Sequence, residues 1–134
     1  MLMIIVAILF IVTGLAVHVF KMHFLISGYN TMSKEKKKKV DVEGLGRFLG
    51  IYCYANAFVF MVSGIIQLLG YEPKMIVAFT FLMLSTIYFL VRSQRYDGNI
   101  YDENGKVREG AWKHLIIPVV IMVPIIVFVA VILF

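Results

Sequence analysis

The sequence predicts an all-α membrane protein of four transmembrane helices, with both termini outside the cell and two cytoplasmic loops. Three observations carry this reading. Four long apolar runs alternate with polar segments. Mean hydropathy is +0.90, with 61% of residues hydrophobic and 16% charged. Most of the basic residues lie in the two longer polar segments. A water-soluble domain of 134 residues has too little interior to hide that much apolar surface. The chain, 1–134, is therefore read as a single transmembrane domain of a multi-pass cell-membrane protein.

The first run, 1–20 (MLMIIVAILFIVTGLAVHVF), is broken only by Thr13, Gly14 and His18. At 1.5 Å rise per residue, about 20 residues span roughly the 30 Å of the hydrocarbon core. A basic stretch does not precede the run, no A-x-A-like site ends it, and Lys21 follows it. It is read as a retained helix rather than a cleaved signal.

The segment 21–47 is the first loop. Gly28, Asn30 and Ser33 favour a turn, and five lysines surround Glu35 between Lys34 and Lys39, a charge density that hydrocarbon does not accommodate. Ser33 is placed to cap a helical turn beginning at Lys34. The second and third apolar runs, 48–69 and 75–91, are joined by Gly70-Tyr71-Glu72-Pro73-Lys74, a link short enough to force an antiparallel hairpin.

The second loop, 92–113, holds two turn signals, Tyr96-Asp97-Gly98-Asn99 and Asp102-Glu103-Asn104-Gly105. Asn-Gly is a strong hairpin cue, so a small β-hairpin is one reading and an irregular loop the other. The fourth run, 115–134, carries Pro118 and Pro124. Membrane helices tolerate proline when neighbours compensate for the lost backbone donor.

Orientation follows from the thirteen basic residues. Seven (Lys21, Lys34, Lys36 to Lys39, Arg47) belong to the first loop and five (Arg92, Arg95, Lys106, Arg108, Lys113) to the second, leaving Lys74 in the middle link. Both loops are therefore assigned to the cytoplasm. The net charge of +5 sits in blocks beside apolar runs with no aromatic-interleaved basic face. That pattern points to the anionic cytoplasmic leaflet as partner and away from nucleic acid.

Candidate functional residues fall into three groups. Gly28, Tyr29, Asn30, Thr31, Ser33 and Lys34 form either a capped interfacial turn or an interaction loop. On the second helix Gly46, Gly50, Cys53, Ala57 and Gly64 recur at spacings that place small side chains on one face, where backbones approach closely. This seam serves either packing within one subunit or a homodimer. Asn56 and Gln67 are the main polar groups at membrane depth, and the Asn56 amide is expected to bond a polar group on another helix.

No Asp, Glu, Lys or Arg lies in the middle of any apolar run, which argues against a coupled pump. Cys53, the single cysteine, reads as a packing residue. His18, His23 and His114 lack ligand spacing and acidic or thiol partners. No cofactor and no metal are expected. Tyr52, Tyr54, Tyr71, Tyr88, Tyr96, Tyr101 and Trp112 read as an interfacial aromatic set near helix ends.

The stretch GYNTMSKEKKKK after the first helix, followed by Gly46-Arg47-Phe48-Leu49-Gly50 opening the second, resembles the DUF3784 family of small bacterial membrane proteins. The resemblance covers roughly residues 20–55 and implies a membrane fold without naming an activity. Over a few residues, the turn after the first helix is also similar to one in the SdpI-like immunity proteins, which protect bacterial membranes against secreted toxins.

A nucleophile with its base, a carboxylate pair and a phosphate-binding glycine loop are all missing from the sequence, so a non-enzymatic role is expected. The favoured function is binding of another membrane protein or a peptide, with toxin immunity or envelope stress as the setting. A subunit of an oligomeric transporter or channel is the alternative, and an interfacial lipid-binding protein is a third.

Overall fold

The computed structural model describes residues 1–26, 29–30 and 32–133, apart from the side chains at 114, 115, 118, 119, 130 and 133. Two of the loop positions singled out above, Gly28 and Thr31, lie outside the described residues.

Among the described residues five helices form, in the order α1 (Leu2–His18), α2 (Lys34–Lys37), α3 (Val42–Leu68), α4 (Met75–Ser93) and α5 (Lys113–Leu133). Short 3-10 turns occupy His23–Leu25 and Gln94–Tyr96. The four long helices coincide with the four apolar runs because an unbroken apolar sequence satisfies its backbone only within the helix itself. Two of these segments, Val42–Leu68 and Met75–Tyr96, are long and apolar enough to cross a membrane. Leu2–His18 and the stretch Val120–Val129 are apolar but shorter.

The helix ends obey local chemistry. Ser33 caps α2 by accepting the Lys36 amide at 3.4 Å. Asp41 Oδ1 accepts the Gly44 amide at 3.0 Å, which starts α3 at Val42, six residues before its apolar run. Apolarity marks where a helix meets a greasy environment, whereas a cap marks where its hydrogen bonds begin. Glu43 in the first turn adds favourable charge against the helix dipole.

No strand forms among the described residues, which corrects the hairpin reading of the second loop. What remains is one antiparallel bridge, Tyr101 to Val107. Its turn is held by Asp102 Oδ1, which accepts the amides of Asn104 at 2.9 Å and Lys106 at 2.8 Å, with Gly105 at a left-handed φ of +77°. The ladder cannot lengthen because the chain bends away at Asp97–Asn99 on one side and at Gly110, also at φ +77°, on the other. A ladder this short has too few paired residues to persist as a sheet.

The principal pairings run from α1 to α3, α3 to α4 and α4 to α5. The α1–α3 contact is close because small residues meet there, while α3 and α4 join through aromatic rings. Phe48 stacks on Phe89 at 5.4 Å between centroids, Tyr52 on Phe89 at 4.8 Å, and Phe60 meets Phe79 edge-on at 5.9 Å. Each such pair contributes about 0.5–1.5 kcal/mol beyond area burial. At the end remote from the loops, α1 and α4 converge on Phe60, where Met3, Ala7 and Ala78 are buried together. At the loop end, Val17, Ile26 and Leu45 form a second buried cluster.

Candidate binding cleft

The two loops are stitched into one cap. Gly98 N–H donates to Lys39 C=O at 2.8 Å, and Asp41 N–H donates to Tyr96 C=O at 2.8 Å, flanking a bridge between Val40 and Asp97. Asn99 reinforces the junction from its side chain: Nδ2 donates to Lys36 C=O at 3.0 Å and to Asp97 Oδ1 at 2.8 Å. The same Asp97 oxygen accepts the Asn99 backbone amide at 2.8 Å. Arg108 Nε donates to Gly98 C=O at 2.8 Å and ties in the end of the second loop. A Cβ at position 98 would stand 2.5 Å from the Lys39 carbonyl oxygen, so the junction requires glycine there.

Beneath this cap lies a cleft of about 660 Å³. Val6, Leu9, Phe10 and Thr13 of α1 form one wall, and Phe89, Leu90 and Ser93 of α4 the other. Leu45, Leu49, Tyr52 and Cys53 of α3 contribute the floor between them. Ile26, Tyr29, Met32, Val40, Gln94 and Asp97 close the top. The volume falls within the range of pockets that hold small organic ligands, about 300–1,000 Å³, and the lining is predominantly apolar with a few polar groups near one end, as such sites usually are. Among the described residues, no three His, Cys, Asp or Glu side chains converge as a metal site would require.

Of the first-loop candidates, Tyr29 lines the cleft, and its ring lies 5.2 Å from Lys37 Nζ. Asn30, Ser33 and Lys34 are exposed on the outside of the cap. The structure therefore does not gather the four described loop candidates into one site.

The small-residue stripe faces α1 of the same chain. A Cβ at Gly50 would meet His18 Cβ at 2.8 Å, one at Gly64 would meet Ile4 Cγ1 at 2.5 Å, and one at Gly46 would meet the Val17 carbonyl oxygen at 3.4 Å. Cys53 and Ala57 are buried in the same interface, and Gly14 answers from α1, where a Cβ would stand 2.7 Å from Tyr54 Cε1.

Asn56 is fully buried. Its Nδ2 donates to Ser85 Oγ of α4 at 3.0 Å and to Tyr52 C=O at 3.0 Å. Ser85 Oγ also lies 3.2 Å from Asn56 Oδ1 and 3.0 Å from Leu82 C=O, and its single proton serves one of these two acceptors at a time. Gln67, by contrast, is exposed at the opposite end, where its Oε1 accepts from the Met1 amine at 3.3 Å.

Several contributors were not distinguished from the sequence. Tyr52, assigned there to an interfacial belt, sits eleven residues into α3. Its hydroxyl lies 2.7 Å from Thr86 Oγ1, which itself donates to Leu82 C=O at 2.6 Å, so Tyr52 is the donor. A tyrosine and a threonine on adjacent apolar helices are a visible pairing signal. Asp97, Gly98 and Asn99 were visible only as a turn, because their partners lie some sixty residues away.

No curated protein and no solved structure matches this chain. The family model of a domain of unknown function, DUF3784, matches residues 4–97. This span includes most of α1, all of α3 and α4 and every residue lining the cleft, and it ends at Asp97 within the junction between the loops. The chain belongs to the DUF3784 family.

Proposed function

We propose that this protein is a four-span, non-enzymatic membrane protein that acts by binding a membrane-borne partner in the cleft beneath its cap. In this reading α1, α3, α4 and α5 all cross the bilayer, both loops and the cap lie in the cytoplasm, and the two ends of the helical domain lie outside. The distribution of basic residues supports that orientation, with Lys74 the only one near the outer link. The observation that carries the binding role is the cleft itself: an apolar hollow of about 660 Å³ whose entire lining falls within the residues matched by the family model.

A membrane protein or secreted peptide that inserts an apolar side chain is one partner this shape accepts, consistent with a role in toxin immunity. The transporter or channel alternative draws less support. Of the polar groups that could line a seam between subunits, Asn56 is fully buried against α4, leaving Gln67 and Thr80 exposed.

Two measurements test the reading. In a Cys53→Ala background, single cysteines replacing Lys38 and Glu103 should react with an impermeant thiol reagent from the cytoplasmic side only, and one replacing Tyr71 from the outside only. For binding, an apolar fluorescent probe should saturate at one site on the purified protein and lose that site in Leu49→Trp, which fills the cleft. Non-saturable partitioning, identical in both proteins, would remove the binding role.

A further inference from the structure

The depth and the charge of the cleft point to one kind of occupant. Val6 lies twelve residues from the loop end of α1, which at 1.5 Å per residue sets the bottom of the cleft about 18 Å below the cap. That is a little over half of the roughly 30 Å hydrocarbon thickness, so the hollow runs the depth of one leaflet. Its lower part, between Val6, Leu9 and Phe10, is aliphatic and aromatic, and Leu49 and Phe89 continue that lining toward the cap.

Cations stand beside the top. Lys37 is half-buried with its Nζ 5.2 Å from the ring centroid of Tyr29, itself a lining residue, and its chain neighbours Lys36, Lys38 and Lys39 are exposed. An aromatic face holds an ammonium group in place without neutralising it. Asp97, the charged residue within the lining, has its Oδ1 held in the cap by both Asn99 donors, so an anionic group at the mouth sits toward Lys37 and away from that carboxylate.

We propose that the cleft is a discrete site for one acyl chain of an anionic glycerophospholipid of the cytoplasmic leaflet. The phosphate lies against Lys37, and the chain descends between α1 and α4. This rests on the membrane reading given above and names the ligand class of the same site. An apolar hollow of this kind does not hold water stably, whereas an acyl chain fills it and keeps its head at the polar level. The lysines supply the charge complementarity that distinguishes this lipid from a zwitterionic one.

The test uses the full-length protein in phosphatidylcholine vesicles containing a minor fraction of a lipid with a diazirine in its acyl chain. The photolipid is either phosphatidylglycerol or phosphatidylcholine, and adducts are mapped by mass spectrometry. With phosphatidylglycerol, adducts should concentrate on Phe10, Leu49 and Phe89 over the outward-facing Leu84 and Phe128. Labelling should fall about fivefold in Lys37→Gln, a change at the end of the short α2 that leaves the long helices intact. The phosphatidylcholine probe should label the cleft correspondingly less.

Equal cleft labelling by both lipids, or no effect of Lys37→Gln, overturns the headgroup assignment. Adducts spread evenly around the helices, or a cleft occupied by a second copy of the chain, overturn the site as a lipid site. Saturable probe binding that lacks headgroup preference leaves the binding role standing while removing this inference; loss of saturable binding removes both.

Discussion

Gly46 and Gly50 form one G-x-x-x-G pair, yet they stand in different surroundings, and substituting each by alanine separates two meanings of the motif. At Gly50 the new Cβ would lie 2.8 Å from His18 Cβ and 3.2 Å from His18 Cγ. The obstructing atom is fixed to the α1 backbone, so the helices must move apart, and overpacking of this kind costs about 1–3 kcal/mol. Alanine recovers roughly 0.5–1 kcal/mol through its better helix propensity, which leaves a net loss centred on about 1 kcal/mol and reaching at most about 2.5 kcal/mol. At Gly46 the closest neighbours, the Val17 carbonyl oxygen at 3.4 Å and the His23 ring at 3.5 Å, are at ordinary contact distance. Gly46→Ala should therefore be neutral or slightly stabilising. Reversible unfolding in mixed micelles, with both variants measured under one set of conditions, should place Gly50→Ala below wild type and Gly46→Ala at or above it. If Gly46→Ala were the more damaging change, the stripe would owe its role to a contact other than the α1–α3 interface.

The interhelical bond of Asn56 can be isolated by a double-mutant cycle with Ser85→Ala. A coupling of about 0.6–1.7 kcal/mol is expected, the range of such bonds in membrane proteins, and strict additivity would show that the pair contributes nothing to α3–α4 association. Gly98→Ala pushes a Cβ against the Lys39 carbonyl. Hydrogen exchange at the amides of Asp41 and Gly98 should accelerate at least tenfold while the helix interiors stay protected; unchanged protection would mean the loops are held together by something else. Lys21 Nζ and Glu43 Oε1 form an ion pair at 3.0 Å with both side chains largely exposed, so Lys21→Ala should change stability by less than about 1 kcal/mol. A larger loss in the same unfolding assay would reveal a role for Lys21 beyond the pair.

The positions of the long helices were legible because apolar runs announce themselves residue by residue. The start of α3 was not, since Asp41 and Glu43 are polar and only their hydrogen-bonding geometry makes them helical. Asn56 could be singled out because an amide in an apolar run demands a partner, but naming Ser85 required knowing how α3 and α4 are rotated against each other. The hairpin cue at Asn104-Gly105 was a sound local signal for the turn that forms there; it failed as a strand signal because the flanking chain is drawn into bonds with Lys36 and Lys39. The cleft was illegible for a related reason. Its lining comes from α1, both loops, α3 and α4, and a hollow exists only where two helices diverge, which no local pattern encodes.

The hollow leaves α3 as the keel of the bundle. α1 rests on it from Gly64 through Gly50 to Gly46, and α4 rests on it through Asn56, Phe48 and Tyr52. The space between α1 and α4 can therefore gain or lose its contents while both seams stay closed, so that occupancy and folding stability are separable properties of this chain.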